Sequence, residues 1–317
     1  MEIINENLAK HILSDEKAVL KAVENIFYEY AKGDAVMSPK TYLDVAKGDD
    51  YRAMPSYSQK YACIKWIADY TSNKSKGLPT TQAIIVLNDK ESGAPLAIIE
   101  ANHITKLRTA AATALATREL VEDKHIKKIS FIGCGDQTLP HINFLTQVLG
   151  QVDEIFLYDI DAQRAHALAA DYPHIQVSGT LEECVEGSRV VTTLTPSRKP
   201  YLSRSMLPEV CHINAVGADA IGKRELCEDI FGDGAFFLVC DDYNQAKHSG
   251  EAQYLQLDQR QAIMSLYDLF SSVWYRRPVT AGALSVYDAT GLAIEDLALA
   301  EYVFNATLAQ SGRASDL

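Results

Sequence analysis

The chain has 317 residues, 47% apolar and 23% charged, with a formal charge of −12 and a pI near 5.1. This length accommodates two domains with sizeable cores, and the acidic balance argues against nucleic acid or an anionic membrane as a partner. The opening MEIINENLAK is acidic and polar, unlike a signal peptide, and no apolar run approaches the roughly 20 residues that span a bilayer, so a soluble cytoplasmic protein is expected.

In chain order, helices are predicted at 8–14 and 15–32. Strands follow around 40–46, 61–68, 82–88 and 95–101, and a helix at 103–121. This is an α+β block. Four cations stand out in it: Lys40, Arg52, Lys65 and Arg108. Lys65 lies inside the apolar strand ACIKWIA, and Arg108 opens a face of small residues, RTAAA. A buried cation is costly unless paired. A substrate carboxylate is one natural partner, and arginine can hold it with two parallel hydrogen bonds. Internal acids, or snorkelling of the stems to the surface, would satisfy the same residues.

Residues 129–159 carry the most specific local pattern. The apolar strand ISFI leads into Gly133-Cys134-Gly135, a helical pattern runs through Leu139, Ile142, Leu145 and Leu149 to Gly150, and the strand IFLY ends in Asp159. Strand, Gly-x-Gly turn, helix, strand and acid, in that order, form a dinucleotide-binding pattern. Gly133 permits the tight reversal, and Gly135 leaves no Cβ in the path of a pyrophosphate. The helix N-terminus presents free N–H groups to the phosphates. Asp159 lies 24 residues after Gly135, where a carboxylate accepts hydrogen bonds from ribose hydroxyls and repels a 2′-phosphate. NAD is therefore the expected cofactor. Thr138 departs from the pattern, standing where a third small residue is usual. A ligand-free strand-to-helix turn is the plainer reading of the same glycines.

Further strands are predicted at 128–133, 154–159, 189–194, 211–216, 235–240 and 284–287, with helices between them at 161–171 and 203–209, then a long helix at 292–309. Such alternation implies an α/β, Rossmann-type doubly wound parallel sheet. The expected organisation is a substrate-binding and dimerisation domain at 1–122, joined by a C-terminal helix at 292–317, and an NAD-binding domain at 123–291. HINAVGAD places Asp219 just beyond a strand's carboxyl end, where ligands of open α/β sheets bind. It could serve a substrate amine or water, or simply cap a turn. Thr193-Leu194-Thr195-Pro196 suits either a nicotinamide-lining segment or a plain turn, and His248 either a proton donor or a solvated loop histidine. Six cysteines lack Cys-x-x-Cys spacing and read as reduced, buried thiols. Eight histidines lack metal-ligand spacing, so no metal is expected.

The segments SPKTYLD, YRAMP, IKW, KGLPT, LRTAAATALA, FIGCGDQ, TPSRKP, HINAVGADAIGKREL, DDYNQAKHSGE and YDATGLAIEDLALA together resemble the ornithine cyclodeaminase/μ-crystallin family, nearest its archaeal-type alanine dehydrogenase branch. The resemblance implies an NAD(P)-dependent enzyme, usually a homodimer built through the first domain. It implies that Lys65 and Arg108 hold the substrate carboxylate and that Asp219 faces the amine, making Lys65 and Asp219 the catalytic candidates. Lys40 and Arg52 join Lys65 and Arg108 as substrate-binding candidates. Thr109, Gly133, Gly135, Asp136, Gln137, Asp159, Thr193, Thr195, Val216 and Gly217 form the cofactor-binding set. Ornithine cyclodeaminases carry glutamate where Arg52 stands. An arginine there is expected to repel a second ammonium and so to disfavour diamino acids. Tyr70-Thr71-Ser72-Asn73 departs from the family's His-Pro-Gly-Asn-like turn. The expected reaction is that of an amino-acid dehydrogenase. Ketimine reduction, opine-type condensation, ornithine cyclodeamination and a non-enzymatic crystallin-type binder are the alternatives.

Overall fold

The computed structural model describes residues 1–232, 236–255, 263–271 and 284–312. Position 235 of one expected strand and positions 313–317 of the expected C-terminal helix lie outside the described residues. The chain divides into two units, 1–112 with 292–317, and 113–291.

Unit 1 contains β1 (Glu2–Ile4), α1 (Glu6–Ile12), α2 (Glu16–Lys32), β2 (Val36–Met37), β3 (Thr41–Ala46), β4 (Asp49–Tyr57), β5 (Tyr61–Tyr70), β6 (Thr81–Asp89), β7 (Pro95–Glu100) and the start of α3 (Asn102–Leu120). Its sheet runs β1-β7-β6-β5-β4-β2, with β3 also paired to β4. β1 is parallel to β7 and the remaining pairs are antiparallel. The alternation of a half-buried strand is plain in β5. Tyr61, Cys63, Lys65 and Ile67 are buried, whereas Ile64 and Trp66 are exposed. The last helix, Ala293–Gln310, lies against β4, β5 and β6, and α2 packs on that helix, burying Val19, Val23, Ile26 and Phe27. Asp15 caps α2 by accepting from Lys17 and Ala18 N–H, and Gly33 ends it in the left-handed conformation.

β4 was not expected from the sequence. Two acids, Asp49 and Asp50, open it and Pro55 interrupts it, which obscures its alternation. The proline is accommodated opposite Ile64, and its carbonyl accepts from Ser38 N–H.

Unit 2 contains β8 (His125–Ile132), α4 (Thr138–Leu149), β9 (Gln151–Tyr158), α5 (Ala162–Ala169), β10 (Ile175–Val177), α6 (Leu181–Val185), β11 (Val190–Thr193), β12 (His212–Ala215), β13 (Phe236–Cys240), α7 (Tyr243–Ser249), β14 (Ile263–Ser265), α8 (Leu266–Phe270) and β15 (Leu284–Asp288). The eight strands form one parallel sheet in the order β10-β9-β8-β11-β12-β15-β13-β14. This is the doubly wound sheet expected from the alternation. The last helix, α9 (Ala293–Gln310), returns to unit 1.

Two expectations are corrected. The helix at 203–209 is only a 3-10 turn, Arg204–Met206. Pro208 follows it, and the Arg204 guanidinium takes up the carbonyls of Leu207, Pro208 and Glu209 instead. The division between units falls at Ala112/Thr113 rather than 122/123. α3 is continuous across it, and its later turns carry Thr113 and Thr117, which hydrogen-bond His141, His212 and Asn214 of unit 2.

Candidate functional site

In unit 1 the cations converge on the first turn of α9. β5 has period two, so Lys65 shares the inward row with Cys63 and Ile67 and has 0% exposure. Its Nζ lies 2.8 Å from Asp296 Oδ1 and 2.7 Å from Oδ2, and 3.4 Å from Thr105 Oγ1. Arg108 projects from α3 one turn beyond Thr105. Its Nη1 lies 2.7 Å from Glu295 Oε2 and its Nε 3.2 Å from Asp296 Oδ1. Asp296 thus joins the two cations. Burial, opposed by Asp296 and reinforced by Arg108, lowers the Lys65 pKa to about 8.

Arg52 shares the inner face of the sheet with Lys65, on the neighbouring strand, since Met54 is the partner of Lys65. It is paired internally: Nε lies 2.7 Å from Asp50 Oδ1 and Nη2 2.7 Å from Asp69 Oδ2, over the ring of Tyr42. Two carboxylates thus offset the guanidinium charge, so any effect of Arg52 on a second ammonium acts through these pairs. Lys40 lies in the irregular stretch before β3, half-buried. Thr109 donates to Thr105 O within α3.

In unit 2 the glycine turn follows β8. Gly133 has φ +96°, and a Cβ on it would lie 2.9 Å from Leu194 O. Thr138, the departure from the pattern, is fully buried and donates to Gly133 O at 2.8 Å, closing the turn from within. Gly135 behaves differently, because a Cβ there would meet nothing within 4 Å. No side chain caps α4, and Gln137 Oε1 is buried with no hydrogen-bond partner among the described residues. Asp136 is exposed beside them. Asp159 ends β9 and accepts from Cys134 N at 2.7 Å and from Asp161 N at 2.8 Å. An open cradle at Gly135 and an uncapped helix start, whose N–H groups can donate, suit a pyrophosphate. The carboxylate beside them suits a ribose.

The remaining cofactor candidates meet at a residue that sequence reasoning missed. Glu225 has 0% exposure. Its Oε2 accepts from Thr193 Oγ1 at 2.7 Å and Gly217 N at 2.8 Å. Its Oε1 accepts from Thr195 N at 2.8 Å, Thr195 Oγ1 at 2.7 Å and Tyr201 OH at 2.8 Å. It therefore ties the end of β11 to the end of β12. Burial raises its pKa despite these donors. A Cβ on Gly217 would fall 2.1 Å from Thr195 O, so the packing demands glycine there. Val216 is buried beside it, and its N–H donates to Thr193 O. Asp219 follows on the same loop and pairs with Lys223 at 2.6 Å.

Buried acids continue behind Glu225. Its N–H donates to Glu251 Oε1 at 2.6 Å, and the N–H of Glu251 donates to Asp288 Oδ1 at 3.0 Å. Burial pushes the Asp288 pKa up to about 7 and that of Glu251 well up. Asp241 accepts from the N–H groups of Thr290 and Gly291, at 2.6 and 2.5 Å. His248 is an exposed residue of α7.

Glu295 and Asp296 were also missed. The signal was present: they are the only acids in the apolar stretch GLAIEDLALA, at the start of a buried helix.

The fold is that of a dinucleotide-binding α/β protein with a second unit in which Lys65 and Arg108 meet Glu295 and Asp296. The family model of the ornithine cyclodeaminase/mu-crystallin family matches residues 4–311, and the chain belongs to that family. It is 35% identical to the alanine dehydrogenase of Archaeoglobus fulgidus over 320 residues, covering 98% of this chain and 96% of that one. Among solved structures it is similar to an archaeal alanine dehydrogenase dimer with bound NAD, with TM-score 0.88, 33% identity and 98% and 97% of the two chains covered. It is similar also to the Δ1-pyrroline-2-carboxylate reductase of Thermococcus litoralis in complex with NADH and L-proline, with TM-score 0.88, 26% identity and 98% of each chain covered.

Proposed function

We propose that the chain is an NAD-dependent amino-acid dehydrogenase of the alanine dehydrogenase kind, interconverting a small amino acid with its 2-oxo acid and ammonia. The coarser statement rests on the family: it is an NAD-dependent oxidoreductase acting on the carbon–nitrogen bond of amino or imino acids. The observation that carries the finer reading is the 35% identity to the Archaeoglobus fulgidus alanine dehydrogenase over 98% of this chain, and the buried Lys65–Arg108 pair, bridged by Asp296, is where one carboxylate would be held.

Gly135, Gln137 and the start of α4 would hold the pyrophosphate and Asp159 the ribose. Thr193, Thr195, Val216 and Gly217, braced by Glu225, would line the nicotinamide end, with Thr109 and Asp136 as further contacts. Bound NAD supplies the hydride acceptor in the oxidative direction and the donor in reverse. Arg108 and Lys65 fix the substrate carboxylate and thereby orient Cα, an effect worth several kcal/mol of barrier. Asp219 takes the proton released at nitrogen, or at the water that adds to the iminium carbon, and Lys223 offsets its charge. Lys40 and Arg52 complete the polar surround. The exposed apolar row Ile64, Trp66 and Ile84 on the outer face of the unit 1 sheet is the surface proposed for a homodimer.

Cyclic-imine reduction is the second reading, favoured by the likeness to the pyrroline-2-carboxylate reductase. It needs the same carboxylate clamp and no ammonia. Oxidation of NADH followed at 340 nm decides between them for pyruvate with ammonia, glyoxylate with amines, and pyrroline-2-carboxylate. Ornithine is tested without added oxidant beyond catalytic NAD, and its redox-neutral conversion is read as ammonia released. Turnover of pyruvate with ammonia is expected. Turnover of the cyclic imine alone would replace the dehydrogenase reading, and turnover of ornithine would replace both.

A further inference from the structure

We propose that Glu295 occupies, on Arg108, the place that a substrate carboxylate takes when it binds, while Asp296 stays as the fixed counter-charge of Lys65. The inference deepens the reading above and rests on Lys65 and Arg108 being the carboxylate holders.

Four buried charges meet at this point: Lys65, Arg108, Glu295 and Asp296, with side-chain exposures of 0, 7, 1 and 0%. Nη1 of Arg108 is already taken by Glu295 at 2.7 Å, so a substrate carboxylate reaching it brings a further negative charge against an internal one in a desolvated place, which is strongly unfavourable. Binding therefore requires an exchange, in which one internal acid gives up its cation as the external one arrives.

The geometry identifies which acid leaves. Asp296 places both oxygens on Lys65, at 2.8 and 2.7 Å, and Oδ1 also lies 3.2 Å from Arg108 Nε. It is held by two cations from two elements, β5 and α3. Glu295 meets Arg108 at Nη1, 2.7 Å away, on the forked end of the guanidinium that binds carboxylates in pairs of parallel bonds. Glu295 stands in the first turn of α9, three residues after the N-cap Leu292. The positive end of the helix dipole stabilises its charge there after Arg108 is released. Its longer, more flexible side chain also has a choice of rotamers that Asp296 lacks. Glu295 is thus a positioning residue that holds Arg108 in its binding orientation and competes with the ligand.

The test uses the full chain and propionate, a probe that shares only the carboxylate. Its Kd is measured by nuclear magnetic resonance titration for the parent, Glu295→Gln, Glu295→Asp, Asp296→Asn and Arg108→Ala, with folding checked by circular dichroism. Glu295→Gln should tighten propionate about tenfold, and Glu295→Asp, which keeps the charge but shortens its reach, by less. A purely structural glutamate would give weaker binding or no change on substitution. Should Glu295→Gln not fold, tightening in Glu295→Asp alone carries the inference. Asp296→Asn should shift the alkaline loss of propionate binding to lower pH, because Lys65 loses the anion that favours its charged form. Unchanged or weakened binding in both Glu295 variants, with binding abolished in Arg108→Ala, overturns the inference and leaves the proposed function standing. Propionate binding that survives Arg108→Ala overturns the proposed function itself.

Discussion

Lys65 and Arg108 carry the sharpest consequences at the level of single residues. Removing one partner of a buried, hydrogen-bonded charge pair costs 2–5 kcal/mol or more, so Arg108→Ala should lower kcat/KM by roughly two to three orders of magnitude. An unchanged value would remove Arg108 from the site. Lys65 binds a carboxylate only when protonated. Burial lowers its pKa to about 8, so that form predominates below pH 8 and is lost above it. Carboxylate affinity should accordingly be flat at neutral pH and fall as the pH rises through 8, measurable as the pH dependence of propionate Kd. Asp159 is the residue proposed to meet the cofactor ribose. Its replacement by alanine should weaken NADH and narrow the gap between NADH and NADPH, read from KM for each. The cations themselves were legible in the sequence as charged residues set in apolar surroundings. Their partners were not. Asp50 is two residues from Arg52, yet Asp69 is 17 away and Asp296 is 231 away from Lys65. The pairing of Arg52 was out of reach of the sequence for this reason, since a charge cannot be assigned an effect until its counter-charges are located.

At the level of elements, the glycine turn before α4 separates two roles that the motif merges. Gly133→Ala meets both a left-handed φ and the Leu194 carbonyl. It should destabilise the fold by about 1–3 kcal/mol, seen as a lower unfolding midpoint. Gly135→Ala meets open space. Its unfolding midpoint should be unchanged while NADH affinity falls. Equal loss of stability in both would contradict the cradle. Glu225 is a comparable brace at the ends of β11 and β12, where five donors point at one carboxylate. Glu225→Gln puts an amide donor among them and should cost about 2–4 kcal/mol, measured by denaturant unfolding. The strands of unit 2 were readable because a parallel strand buried on both faces is a short apolar run. β4 was not, because its acids and Pro55 are explained only by what they meet: Ser72 at Asp49, Arg52 at Asp50, and Ser38 at the Pro55 carbonyl.

For the whole molecule, the buried acids set a pH dependence of stability. Burial raises Asp288 and Glu301 to about 7, and raises Glu225 and Glu251 as well. A raised carboxyl pKa means that the folded state holds more protons than the unfolded one. Its stabilisation is full below the unfolded pKa and is lost as pH rises through the folded value. His212, lowered to about 3, and Lys65, lowered to about 8, act in the opposite sense below pH 6.5 and above pH 8. The unfolding midpoint should therefore fall between pH 6.5 and pH 8, and a higher midpoint at pH 8 would contradict this assignment. Association is the other whole-molecule property. Trp66 and Ile64 face outward from a row whose inward members are core, so if the proposed homodimer forms through them, the parent should scatter light as a dimer and Trp66→Glu as a monomer with unchanged helix content. None of the described helices is long and apolar enough to cross a membrane.

The sequence by itself determined the parallel nucleotide-binding sheet, the glycine turn and its acid, and the identity of the candidate cations. These depend on periodicity and on residue types spaced within about 30 positions, which a linear reading captures. The tertiary structure alone decided which acid meets which cation, that Glu225 ties the end of β11 to the end of β12, and that α9 delivers Glu295 and Asp296 to Arg108 and Lys65. Those facts arise from contacts between residues as far as 231 positions apart, and burial gives the charges there their strength.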